Sequence, residues 1–363
     1  MKIVHTESSC GWGGQEIRIL TESAGMVARG HRVTLLCPPE SRIYREAQRS
    51  GLPVEALPIG RKSLRGVLAL RRWLHGHEAD VLNTHSSTDT WLAALAGLMP
   101  GNLPPIVRTR HISAAIPNNR ATRWLYTRAT RHIVTTGEKL REQLIRHNGY
   151  PAQRITSVPT GIDTARFMPG DRGEARRRLG LDESKHYIGI VATLRSWKGH
   201  HHLLEAFARL DAPDWLLLIV GDGPRREFIG KMVADLGLAD RVRLAGQQDN
   251  AELWLQAFDI FCLPSYANEG VPQAILQAML TGLPVVTTAV GSIGEVVAHE
   301  VTGLIVPREN PERLAAALRR LIAQPELAAR LGAAARAEAI RRFGLEPMLE
   351  GMERVFAGVC AKR

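Results

Sequence analysis

Long hydrophobic runs are missing from this 363-residue chain. Its most apolar stretch, Trp215 to Val220, has the length of a strand, which excludes a helical membrane span. Cysteine is scarce: Cys10, Cys37, Cys262 and Cys360 are scattered without paired spacing. That argues against a disulfide framework or a cysteine metal site and suits packing residues in a reducing compartment. Met1 to His5 opens directly as a strand without the marks of a signal peptide, so a cytoplasmic location is expected. Low-complexity segments and short-period repeats are also missing. What remains, 45% hydrophobic and 23% charged, is ordinary for a globular protein, and its length suits two domains.

The net charge of +11 is unevenly spread. Residues 1–166 hold 23 Lys+Arg against 12 Asp+Glu, and the rest of the chain holds 24 of each. Such a half could meet an anionic membrane surface, an acidic acceptor or nucleic acid, or be a solvated Arg-rich surface.

Along both halves, short apolar runs alternate with helical periodicity. This reads as an α/β protein with doubly wound sheets. In the first half, Lys2–Thr6 leads into the Gly-rich turn Gly11-Trp12-Gly13-Gly14. A helix over about 17–29 and the strand Arg32–Cys37 follow. Without a third Gly or a Lys-Ser/Thr pair, this turn matches neither the dinucleotide nor the P-loop spacing. Later strands at 53–59, 80–85, 105–110, 132–135 and 155–158 alternate with helices at 63–75, 90–98, 118–129 and 138–147. His85 and His111 stand at strand carboxyl ends, as site residues or as structural ones. Arg108 and Arg110 flank His111 as site cations or solvated loop charges. Residues 160–185, rich in charge, Pro and Gly, read as the connection to the second half.

That half is organised around residues 262–300. An apolar strand ends at Leu263, a polar loop carries Glu269 and Gly270, and Pro272 suits the first turn of a helix that Gly282 ends. A carboxylate placed to grip hydroxyls, beside the free N–H groups of a helix start, suggests a sugar joined to a diphosphate. Arg195 and Lys198, in another strand-to-helix loop, could neutralise that diphosphate or be solvated loop charges. Glu269 and Gln277 are eight residues apart, slightly over two helical turns, so both could face one cleft. An amide cannot ionise, so the pair reads as a grip on hydroxyls and not as a hydrolase dyad. His200, His201 and His202 lack metal-ligand spacing.

In order, the chain carries Gly13-Gly14-Gln15-Glu16, Val158-Pro159-Thr160-Gly161-Ile162-Asp163, and Arg195 with Lys198-Gly199. Gly221-Asp222-Gly223-Pro224, Pro264-Ser265 through Glu269-Gly270-Val271-Pro272 to Gln277, Gly282-Leu283-Pro284-Val285-Val286 and Gly303-Leu304-Ile305-Val306 complete the set. This ordered set resembles the retaining glycosyltransferases of family 4, over nearly the whole chain. The resemblance implies the GT-B fold, with two doubly wound Rossmann-like domains facing a central cleft. Residues 1–165 would bind the acceptor and 166–343 a UDP- or GDP-linked sugar, with the helix of 344–363 packing back on the first domain. It also implies donor contacts from Gly13, Gly14, Arg195, Lys198, Gly221, Glu269, Gly270, Val271, Pro272 and Gln277. His111, Arg195, Lys198 and Glu269 would serve catalysis.

No bound metal or cofactor is implied, since the leaving phosphate takes the acceptor's proton on the same face of the sugar. The expected acceptor is a glycan or lipid-linked saccharide of the cell surface, of lipopolysaccharide type. An anionic membrane surface is a further expected partner, and nucleic acid is not. An epimerase or phosphorylase of the same fold and an inactive nucleotide-sugar binder are the alternatives. Three departures from the family pattern stand out: Gln277 replaces a Glu, Thr193 occupies the usual place of the Arg, and Ser292 and Gly294 replace a Gly and a Pro.

Overall fold

The computed structural model describes residues 1–112 and 114–361. In chain order the elements are β1 (Lys2–Thr6), α1 (Gly14–Ala28), β2 (Arg32–Cys37), α2 (Arg42–Arg49), β3 (Val54–Ala56), α3 (Leu64–Gly76), β4 (Val81–Thr84), α4 (Ser87–Ala96), β5 (Ile106–Arg110), α5 (Arg120–Trp124), β6 (Thr130–Thr135), α6 (Glu138–Arg146) and β7 (Ile155–Ser157). They continue as α7 (Arg172–Leu179), β8 (His186–Val191), α8 (His200–Ala208), β9 (Trp215–Val220), α9 (Arg226–Asp235), β10 (Val242–Gly246), α10 (Ala251–Ala257), β11 (Ile260–Leu263), α11 (Gln273–Leu280), β12 (Val285–Thr288), β13 (Leu304–Val306), α12 (Pro311–Ala323), α13 (Pro325–Phe343) and α14 (Leu345–Cys360).

Two compact units result. Unit 1 comprises Met1–Gly161 and the chain from Leu345 onward; unit 2 is Ile162–Gly344. In unit 1 seven parallel strands run in the order β3-β2-β1-β4-β5-β6-β7. The central strands β4 and β5 are buried along their whole length, as parallel strands covered on both faces must be. Helix α14 belongs to this unit. Leu349 seats against Gly25 of α1, where a β-carbon would collide with its side chain. Arg29 pairs with Glu346 and Glu353, and Met348, Met352 and Phe356 join the β-sheet core through Ile3, Val107 and Val134.

Unit 2 has six parallel strands in the order β10-β9-β8-β11-β12-β13 around one large core. Each sheet has one place where chain order reverses: between β1 and β4 in unit 1, and between β8 and β11 in unit 2. There the connecting loops diverge to opposite faces and leave a crevice at the strands' carboxyl ends.

Several elements depart from the sequence expectations. The segment 160–185 is not a plain connection. Asp171 caps α7 by accepting from the Glu174 N–H at 2.8 Å, Gly180 ends it in the left-handed region, and Ala175 and Leu179 pack on Leu253 and Ala257. Helix α2 was not expected at all; Ser41 caps it, and Ile43 and Ala47 are its buried residues. The helix expected over 118–129 is α5 followed by a π-helical turn, Leu125–Ala129. Strand β3 is three residues long where seven were expected.

Candidate active site

In unit 2, β8 and β11 flank the reversal point, so the loops that follow them face one another. The loop after β8 makes a 3-10 turn, Ser196–Lys198, and enters α8 through Gly199. Gly199 has φ +75°, and a β-carbon there would stand 2.1 Å from the Pro264 carbonyl oxygen. Glycine alone permits that approach, which lays the β8 loop on the β11 loop. Lys198 Nζ then lies 2.6 Å from Glu269 Oε1, and Ser265 Oγ donates to the same oxygen at 2.7 Å. The other carboxylate oxygen, Oε2, has no partner among the described residues and is available to accept from a ligand hydroxyl. The loop after β12 closes the far side, since Gly291 (φ +60°) would put a β-carbon 2.0 Å from the Glu269 carbonyl oxygen. Thr288 donates to the Ser265 carbonyl and Thr287 to that of Leu263, at 2.7 Å, so β12 fixes the strand end that carries the site.

Glu269 is 4% exposed and the Lys198 side chain 18%. An ion pair this enclosed is held by mutual need: removing one partner strands the other's charge away from water. Lys198 offers three donors and uses one here, so it can grip an anion as well.

Arg195 is on the same loop but is exposed, its guanidinium 5.7 Å from the centre of the Trp197 ring; its carbonyl accepts from the Lys198 N–H at 3.2 Å, and its side chain is not bonded to Lys198 or Glu269. Gly221 follows β9 and its N–H bonds the Gly246 carbonyl at 2.8 Å. The Gly270 carbonyl accepts from the Ser292 N–H at 3.2 Å, and Val271 is buried. Pro272 precedes the helix instead of opening it, with extended backbone at the N-cap of α11. Glu269 lies in the loop before α11, as expected, and Gln277 is buried in α11; the two side chains are not bonded to each other. Ser265, two residues past the end of β11, was named in the ordered set but given no role; the structure brings its hydroxyl to Glu269.

In unit 1 the reversal lies between β1 and β4. Gly13 caps α1 in an extended conformation and Gly14 is the helix's first residue. Glu7, in the loop before them, accepts from the Ser9 N–H at 2.7 Å and from Gln15, and burial beside Asp89 and Glu16 pushes it up to about 8. His111 follows β5, and its Nε2 lies 3.0 Å from His85 Nδ1; His85 Nε2 lies 2.9 Å from His5 Nδ1 on β1. Burial amid Arg18, Arg108 and Arg110 holds all three imidazoles below their ordinary range, His5 at about 3. Arg108 and Arg110 are not solvated loop charges. Both are buried on β5, Arg108 bonded to the Thr84 and Thr109 carbonyls and Arg110 to the Tyr126 hydroxyl at 3.0 Å. Among the described residues no cluster of three or more His, Cys, Asp or Glu is placed to hold a metal ion, and no helix is long and apolar enough to cross a membrane.

Residues 171–338 match the family model of glycosyl transferases group 1, and residues 12–166 that of glycosyltransferase family 4. A D-inositol 3-phosphate glycosyltransferase of Thermobispora bispora is 30% identical over 349 residues, covering 86% of this chain and 79% of the relative. The chain belongs to glycosyltransferase family 4. Another relative, the D-inositol 3-phosphate glycosyltransferase of Segniliparus rotundus, is 31% identical over 76% of this chain; the chain spans 66% of its length. A lipopolysaccharide core biosynthesis mannosyltransferase of Rhizobium meliloti is 38% identical over 43% of this chain and 47% of the relative. Among solved structures, Anabaena HepE in complex with UDP-glucose superposes with a TM-score of 0.89 at 21% identity, over 99% of this chain and all of that one. The family's fold is thus the one built here: two Rossmann-like units with parallel sheets, the GT-B fold.

Proposed function

We propose that this family 4 member transfers a sugar from a nucleotide-sugar donor to a hydroxyl acceptor with retention at the anomeric carbon. The observation that carries the reading is the Lys198–Glu269–Ser265 cluster at the reversal point of the unit 2 sheet. Glu269 accepts from hydroxyls of the donor sugar through Oε2. Lys198 balances the diphosphate, with Arg195 approaching from the same loop. Negative charge on the diphosphate grows as its bond to the anomeric carbon breaks, so a fixed ammonium stabilises the transition state more than the ground state. The bond from that carbon to the phosphate oxygen breaks, and the oxygen keeps the electron pair. The acceptor oxygen bonds to the carbon on the same face and gives its proton to the departing phosphate. No bound metal or cofactor takes part in this reading.

The donor is a UDP- or GDP-sugar; the UDP-glucose complex of HepE, which shares this fold, supports UDP. For the acceptor we favour a glycan or lipid-linked saccharide of the cell envelope, of lipopolysaccharide type, met at an anionic membrane surface on the cytoplasmic side. The basic unit 1 and the Rhizobium meliloti relative support it. A second reading is an inositol phosphate acceptor, supported by the names of the longer-matching relatives.

Purified protein incubated with UDP-, GDP- and ADP-sugars and an acceptor panel tests the function. Nucleotide release that requires an acceptor and is unchanged by a chelator is expected. Turnover without an acceptor, or with inorganic phosphate, would instead mark an epimerase or phosphorylase. Donor binding without release would mark an inactive sensor.

A further inference from the structure

The three histidines of unit 1 form a continuous chain across the reversal point of its sheet. His5 ends in the core, 0% exposed; His85 follows β4, 1% exposed; His111 follows β5 and is partly open to solvent. The rings stack at centroid distances of 5.2 and 5.3 Å, and the two nitrogen contacts are 2.9 and 3.0 Å. Each contact needs one N–H and one lone pair. With three neutral rings, a single choice of direction sets every proton in the chain.

The buried end decides the direction. His5 Nε2 is enclosed and has no hydrogen-bond partner. An orphaned N–H is the rarer and costlier of the two ways to leave a buried polar atom unpaired. The nearby Arg18 guanidinium opposes a positive charge on the same ring, which keeps His5 neutral. His5 therefore carries its proton on Nδ1 and donates to His85 Nε2, and His85 donates from Nδ1 to His111 Nε2. Asn83 Nδ2 stands 3.5 Å from both His5 Nδ1 and Glu22 Oε1, far longer than the 2.9 Å between His5 Nδ1 and His85 Nε2, so the short contact to His85 is the one that takes the His5 proton. The charged groups acting on the three rings are Arg18 from α1 and Arg108 and Arg110 from β5; α14 contributes the ring of Phe356 against His5.

We propose that His5 and His85 are positioning residues that hold His111 as a neutral imidazole with its proton on Nδ1, so that it offers a ligand a hydrogen-bond donor and not a base. In the glycosyl-transfer reading, on which this role rests, His111 donates to an oxygen of the ligand bound at unit 1 and abstracts no proton from it.

The test is two-bond nitrogen–proton NMR on the full chain with labelled histidine. The wild type should show His111 as the Nδ1–H tautomer, unchanged from about pH 6 to about pH 8. His111 in the Nε2–H form, or as an imidazolium in that range, would overturn the proposal. Two variants separate proton direction from packing. His85→Asn keeps a donor at the Nδ1 position, and should keep the tautomer and hold kcat within about threefold of wild type. His85→Asp puts an acceptor there; it should draw the His111 proton to Nε2 and lower kcat at least about tenfold. Equal tautomers and equal rates in the two variants would reduce His85 to a packing residue. If either variant fails to fold, the wild-type spectrum still decides. A correct His111 tautomer in a protein that turns over no nucleotide sugar would uphold the histidine chain and remove only the function assigned to it.

Discussion

At the scale of single residues, the unit 2 site depends on backbones that approach more closely than any side chain allows. Gly199 is the sharpest case, because its missing β-carbon would meet a main-chain carbonyl, which cannot rotate away. Gly199→Ala should destabilise the protein by more than about 1 kcal/mol and separate Lys198 from Glu269. A urea-unfolding midpoint below wild type, with a fall in transfer, is the expected result; unchanged values in both would mean that the loop contact carries no weight. Lys198 and Glu269 were legible in the sequence because each sits in a polar loop directly after an apolar strand. The role of Ser265 was not, because the partner of a hydroxyl is set by which loop the fold brings opposite. His5 was hidden for a similar reason: inside an apolar strand it reads as a strand residue, and only the pairing of β1 with β4 brings it to His85.

At the scale of elements, what was legible followed the length of the pattern. Elements with several apolar positions in register, such as the strand read at Arg32–Cys37 and the helix read at 138–147, match β2 and α6 to within one residue. The eight-residue helices α2 and α7 were lost because each is short and sets few apolar positions among charged ones: Ile43, Tyr44 and Ala47 in α2, Ala175 and Leu179 in α7. Their caps, Ser41, Asp171 and Gly180, were the surviving signal. Alternation predicts parallel strands but not their order, since any order satisfies the same burial. The reversals at β1/β4 and β8/β11, which place both candidate clusters, therefore came only from the structure.

At the scale of the whole molecule, charge separates the two units. Unit 1 holds 25 Lys+Arg against 14 Asp+Glu, while unit 2 holds 22 of each. The excess predicts attraction to anionic surfaces that weakens as salt shortens the reach of exposed charge. Sedimentation with anionic and neutral vesicles checks this. Stronger, salt-sensitive binding to the anionic ones is expected, and equal binding would remove the membrane from the account. The central claim, that unit 2 binds and activates a nucleotide sugar through Lys198 and Glu269, meets its most direct test in the transfer rates of Lys198→Ala and Glu269→Ala with the donor that the screen identifies. Each substitution should cut the rate at least about tenfold, equivalent to roughly 1.4 kcal/mol of transition-state stabilisation. Near-wild-type rates in both folded variants would contradict the site.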